Sequence, residues 1–429
     1  MKNILQNKSA VLFYAASGLL CLFIGRIAYY LAVYGDTYPH WDEWDWVPIN
    51  APVLEYLFRY NNENLQIFTN LIYVVLEYAH LPFFLAAWGG FAAYLLMCLG
   101  LWKVLSPATE RQRKFMLVLL FIPFFSDYML DNLFWAATSS PWFYFMFMIW
   151  AVYFGFVKPQ NTRNRCFCAV CIACSVLAMN IPFAILFTLV YLAKNIVNAK
   201  DEAERKKECW LAAIWLECAV VALGLFWYFM RQSEGTEIPL KALFTAQYYE
   251  HLSYALINPL FGFWLAPENA GGLLLLLLVF VAGLGFLFWR QYRTIARQGS
   301  WAVLFIAGGG MAALTLFRGE MVLAITDHSC RYLGYALFCL PAMYVIGCGD
   351  KNKYVRMGAD VLALLMLGLT ICGHFSGRHI ETMARIERGR LCAERYYAME
   401  PRPLEFYCSG RYPKNLAPHY DAFEEKFLK

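Results

Sequence analysis

Residues 10–46 read AVLFYAASGLLCLFIGRIAYYLAVYGDTYPHWDEWDW. The first part, Ala10 to Val33, is an apolar run whose one charge is Arg26. It exceeds the ~20 residues that cross a bilayer as a helix. The second part, His40-Trp41-Asp42-Glu43-Trp44-Asp45-Trp46, interleaves three carboxylates with three tryptophans. Acids cost free energy beside lipid, so a cluster of them at a helix exit needs a reason. Tryptophan prefers the membrane–water interface. The stretch therefore predicts a crossing helix that emerges into an acidic, aromatic loop, a place suited to a polar, sugar-like group.

Composition extends that reading to the whole chain. Of 429 residues, 60% are hydrophobic and 16% charged, against about 25% charged in soluble domains. Several more apolar stretches are long enough to span, and the class expected is an all-α polytopic membrane protein. The net charge of +5 does not point to nucleic acid, because the bases sit in short loops between spans, as the positive-inside rule describes. No small-residue cleavage site follows the first span, which predicts an uncleaved helix.

Loop charge gives a topology. Between Tyr34 and Asn64 stand Asp36, Asp42, Glu43, Asp45, Glu55 and Glu63 against Arg59, so this loop is expected outside. Basic loops recur around Arg111–Lys114, Lys158–Arg165, Lys200–Lys207, Arg290–Arg297 and Lys351–Arg356, all expected in the cytoplasm. Ser126–Ser140, Gln232–Gly272 and Gly319–Arg331 are poor in bases and expected outside. The count is about eleven crossings, N-terminus inside and C-terminus outside. Leu65–His80 is short and is expected along the outer interface, with Phe83–Leu101 making the crossing. Cys166–Lys194 has bases on both flanks, and a break at Met179-Asn180-Ile181-Pro182 lets it enter and return as two short helices. The expected organisation is a transmembrane domain over residues 1–373, containing an external loop and interfacial helix at 34–82. A polar tail, 374–429, follows and packs on the outer face. No internal repeat suggests the inverted halves of a transporter.

Four constellations could carry chemistry. Asp42 and Glu43, between Trp41 and Trp44, could supply a general base whose pKa burial would tune; a wet loop marking the outside is the ordinary alternative. Asn61-Asn62-Glu63-Asn64, followed by Gln66, could bind sugar hydroxyls or a cation, or simply start a helix. Asp131-Asn132, ahead of Trp135, sits in apolar sequence where polar groups need partners, and a structural network explains it equally. Arg318 and Cys330-Arg331-Tyr332 lie at external span ends, where arginine could grip a phosphate as a bidentate fork or touch lipid headgroups. Cys166, Cys168, Cys171 and Cys174 lack the turns of a zinc site and read as small buried residues. No metal ligand set is assigned; a divalent cation at the acids stays open. Cys392 and Cys408 could form a disulfide if the tail is external. Gly308-Gly309-Gly310 reads as close helix packing.

In this order, the constellations resemble a large group of bacterial polytopic proteins with GT-C-type glycosyltransferase architecture. The matching elements are Trp41-Asp42-Glu43-Trp44 after the first span, the pair Asn62-Glu63 opening the next helix, Asp131-Asn132 with Trp135, and Arg318-Gly319 with Cys330-Arg331-Tyr332. Where family members often carry histidines around the Asn-Glu pair, this chain has Asn61, Asn64, Leu65 and Gln66. The resemblance implies a bacterial inner-membrane enzyme with a periplasmic active site. It would take a sugar from a polyprenyl-phosphate-sugar donor and pass it to an outer-face glycan acceptor, with inversion. Asp42 is the implied base and Glu43 the next candidate; Arg331, helped by Arg318, would bind donor phosphate. Size and tail also resemble the serotype-converting glucosyltransferases of O-antigen lipopolysaccharide, which work beside a donor synthase and a small flippase. Two other readings stand beside it: a transporter or flippase of lipid-linked sugar or another polar solute, and an assembly scaffold without chemistry.

Overall fold

The computed structural model describes residues 24–33, 51–61, 64–105, 115–120, 140–178, 181–232, 240–260, 270–291, 298–323, 338–374 and 423–428, with isolated residues that include Ile49, Gln112, Cys392 and Tyr396. It is helical almost throughout. In chain order, α1 is Ile24–Val33 and α2 Val53–Leu57. The strands β1 (Tyr60–Asn61) and β2 (Asn64–Leu65) follow, then α3, Ile67–Tyr78, and α4, Leu85–Val104. Helix α5 (Ser140–Val152) continues as a π-helical turn, Tyr153–Val157. Next come α6 (Thr162–Ala178), α7 (Ile181–Val197) and α8 (Glu202–Gln232). The rest are α9 (Ala246–Leu260), α10 (Ala270–Gln291), α11 (Gln298–Leu323), α12 (Cys339–Cys348) and α13 (Lys353–His374).

Among the described residues three segments are long and apolar enough to cross a membrane: Leu85–Val104, Gly272–Gln291 and Gln298–Leu316. The second has only 11% of its residues buried in the protein, and Leu275, Leu278, Val279 and Phe286 stand on its outer surface. Such a face is favourable against lipid and costly in water.

Contacts fix the directions of the helices. Tyr94 meets Trp142 edge-on at 4.7 Å, and further along, Trp150 Nε1 donates to the Leu96 carbonyl while Gly100 abuts Ile149. Helices α4 and α5 therefore run parallel. Helix α6 runs back along α5: Phe154 stacks on Phe167 at 5.1 Å, and the Cys168 thiol donates to the Ala151 carbonyl at 3.4 Å. Helix α7 then descends again, Phe156 meeting both Phe187 and Tyr191.

The expected break near Pro182 falls where α6 gives way to α7. The two helices are longer than expected, at 17 residues each, or about 26 Å at 1.5 Å per residue, close to a full crossing. Near the start of α11, Gly299 lies against Val104 and Val157, and further along Gly310 reaches Phe145. In the glycine triplet, a side chain added at Gly310 would make ordinary contact with Phe145 and one at Gly308 would meet open space, so neither is a glycine-only close approach. Base-poor 232–272 is more than a loop. Helix α9 within it packs between α10 and α11, burying Tyr248, His251, Tyr254, Ala255 and Asn258 on one side. Its polar residues lower the hydropathy and hide the helical period.

The bundle consequently has two unlike ends. At one, Lys194 Nζ donates to the Gly155 carbonyl at 2.6 Å, Arg165 pairs with buried Glu208, Arg290 binds Asp350 at 3.0 Å, and Gln112 reaches the Cys348 carbonyl. Lys103, Lys158, Lys351 and Arg356 belong to the same end by sequence position. At the other, α3 lies across the starts of α4 and α5. Phe68 contacts Phe143 and Phe147, Tyr73 stacks on Phe83, and Ile72 fills the space over Gly89. At 12 residues, α3 is about 18 Å long, too short to cross. His80, in left-handed backbone with φ 50°, closes it, and the Leu81 N–H reaches back to the Leu76 carbonyl at 2.9 Å.

Candidate functional site

Trp41, Asp42, Glu43, Trp44, Asn62, Glu63, Asp131, Asn132, Arg331 and Tyr332 lie outside the described residues. Arg318 belongs to α11, its side chain likewise outside them. The elements flanking these motifs are described, and they share one end of the bundle. Ile49, shortly after the acidic run, is buried with Tyr73 and Phe83. Strand β2, just past Asn62-Glu63, leads into α3 and touches α6. Ser140, shortly after Asp131-Asn132, opens α5 beside Trp142 and Phe143. Arg318 lies eight positions beyond Gly310, about 12 Å further toward that same end.

Locally the Asn-rich run folds differently from the expectation. It does not open a helix: Tyr60 pairs with Leu65 and Asn61 with Asn64 in an antiparallel ladder, leaving Asn62 and Glu63 as the two residues between the strands. Helix α3 starts only at Ile67. Short amide side chains favour tight turns as readily as helix caps. Asn70 fixes this unit to α2, its Nδ2 donating to the carbonyls of Tyr56 (3.1 Å) and Leu57 (3.3 Å). Gln66 is buried, and its Oε1 has no hydrogen-bond partner. We expect Asn70→Ala to remove a donor from both carbonyls, of which Tyr56 keeps the Arg59 N–H at 3.2 Å, and to cost about 1 kcal/mol, read by denaturant titration of the purified protein in detergent; an unchanged midpoint would show that the bonds are dispensable.

The described tail residues Tyr396, Phe423 and Phe427 pack at this end. Phe423 and Phe427 set their rings edge-on to Phe83 at 5.4 and 5.7 Å, and Tyr396 joins Ile49, Tyr56 and Tyr73 in a second hydrophobic core. Lys426 Nζ lies 2.8 Å from Glu77 Oε1 and donates to the Ile49 carbonyl at 2.5 Å, while Glu77 Oε2 accepts the Ile49 N–H at 3.2 Å. Nothing local in the sequence signals this clamp. Cys392, which packs on the same core, is in a disulfide; Cys408 lies outside the described residues. Cys166, Cys168, Cys171 and Cys174 are free thiols along α6, with Cys168 buried and Cys166 exposed. Among the described residues no group of His, Cys, Asp and Glu is arranged to hold a metal ion.

No family model, no curated protein and no solved structure matches the chain.

Proposed function

We propose that this protein is a GT-C-type membrane glycosyltransferase. It moves a hexose from a polyprenyl-phosphate-sugar donor to a glycan or lipid-linked acceptor, such as O-antigen, on the outer face of a bacterial inner membrane. The observation that carries the reading is the gathering, at the end opposite the bases, of the elements that flank all four polar constellations. In the proposed topology of about eleven spans the basic end faces the cytoplasm, as does the N-terminus, and α3 lies along the outer interface. The Cys392 disulfide fits a tail in the oxidising periplasm.

Asp42 removes the proton from an acceptor hydroxyl, with Glu43 the alternate base. The acceptor oxygen bonds to the anomeric carbon as the C–O bond to phosphate breaks. Its electron pair leaves with polyprenyl phosphate, and configuration inverts. Arg331 and Arg318 hold the departing phosphate, while Trp41, Trp44, Asn62, Glu63, Asp131, Asn132 and Tyr332 line the sugar and acceptor sites. Losing a charge-assisted bond of about 1.5–3 kcal/mol should raise the donor KM of Arg331→Ala by about 10- to 100-fold; an unchanged KM would remove Arg331 from the site.

The deciding experiment is mass spectrometry of surface polysaccharides and lipids from cells with and without the protein. A hexose added only when the protein is present supports transfer. A lipid-linked sugar that accumulates unflipped, on the cytoplasmic leaflet, when the protein is absent points to transport instead. No difference shifts the balance to a scaffold. Chelation in a membrane assay tests for a divalent cation.

A further inference from the structure

Helix α8 is packed on one side and bare on the other. Glu208, Ala212, Trp215 and Ala219 form the stripe that faces the bundle, and Glu208 fixes the level of the basic end through Arg165. Trp210, Ala213, Glu217, Val220, Val221 and Gly224 are exposed. Glu217 is the one charge in that set. It stands nine positions past Glu208, about 13 Å further from the basic end. The exposed residues around it, Leu216, Val220 and Val221, are apolar, as are Leu186 and Val190 on the adjoining α7. Among the described residues no hydrogen bond or ion pair reaches Glu217.

The inference rests on the proposed topology, in which α8 crosses from the basic loop before it to the base-poor segment after it. Glu217 then sits deep in a hydrocarbon layer about 30 Å thick. Long lysine and arginine side chains reach the interface from such depths; the two methylenes of a glutamate cannot span about 13 Å. Ionisable groups inside a span find a partner of opposite charge or a hydrogen bond. We propose that the outer face of α8 docks a transmembrane helix of another protein, one that carries a lysine or arginine at the matching depth, with Glu217 as its counter-charge. Ala213 and Gly224 lie four positions before and seven after Glu217, on the same face, and residues this small let a second backbone come close. A Cβ at Gly224 would meet open space. A second copy of this chain lacks that complementarity: a two-fold axis along the membrane normal joins like surfaces, so Glu217 would meet Glu217.

The test uses the full-length protein in nanodiscs and a leucine–alanine transmembrane peptide with one central lysine, association being read by energy transfer. The wild type should bind this peptide about 3- to 30-fold more tightly than the same peptide with leucine at the centre, the range of interhelical polar contacts in bilayers. Glu217→Leu should lose the preference, and Glu217→Lys should transfer it to a peptide with a central glutamate. No preference in the wild type, or one that persists in Glu217→Leu, overturns the docking surface and leaves the transferase reading untouched. Single-molecule photobleaching examines the rival occupant: dimers that Glu217→Leu dissociates would give the face to a second copy and overturn the basic partner. An epitope inserted after Glu234 of the full chain checks the topology separately. Antibody should reach it from outside intact spheroplasts; if it is reached only after permeabilisation, α8 does not cross as proposed, and the topology falls together with the docking surface.

Discussion

Asp42→Asn is expected to abolish hexosyl transfer while the protein still inserts and accumulates in the membrane. The substitution keeps size and hydrogen-bonding capacity but removes the group that accepts a proton. General-base catalysis contributes about 10²–10⁴-fold, so residual transfer should fall to about 1% or less. Glu43→Gln provides the contrast: if Asp42 is the base, it should retain most of the rate. The readout is initial-rate transfer in membranes containing equal amounts of each variant. A fully active Asp42→Asn together with an inactive Glu43→Gln would move the role one residue along; two active variants would show that neither carboxylate is the base. Equal accumulation of each variant in the membrane separates a loss of activity from a loss of the fold.

The second large effect is on stability, at the basic end. Glu208 is 1% exposed on α8 and pairs with Arg165 of α6; its other oxygen, Oε2, has no partner. Arg165→Ala would leave that carboxylate buried without a counter-charge. Breaking a buried pair from one side costs about 3–5 kcal/mol; because the arginine side chain is 27% exposed, the lower end, about 3 kcal/mol, applies. The double replacement Arg165→Met with Glu208→Leu should be near neutral, since it removes the desolvation cost along with the attraction. Unfolding in detergent measures both. A single variant as stable as the double would show that the pair is structurally idle.

Much of this architecture is visible in the chain itself. The break between α6 and α7 follows from Asn180 and Pro182, because proline removes a backbone donor and constrains its predecessor. The crossing expected from Phe83 is α4. The gathering of Arg165, Lys194 and Arg290 at one end follows from the recurrence of bases between apolar runs. Helix α9 was hidden because Gln247, Glu250, His251 and Asn258 make its sequence read as a polar loop, although several of these face neighbouring helices. Asn61 and Asn64, readable from sequence as a binding run or a helix start, pair with each other in a short ladder instead, since amides serve strand ends and turns as well as caps.

What the sequence by itself determined is most of the apolar helices, the break between α6 and α7 and the recurrence of bases between apolar runs, because each depends on residues a few positions apart and on their transfer between water and an apolar medium. Tertiary structure alone decided that Asn61 and Asn64 pair in a short ladder and that Phe423 and Phe427 of the tail pack on Phe83. The Lys426–Glu77–Ile49 clamp joins positions 377 residues apart at its extremes. No local propensity encodes such a pairing; it exists because Phe83, Phe423, Phe427 and Tyr73 bury one another and bring the charges within reach.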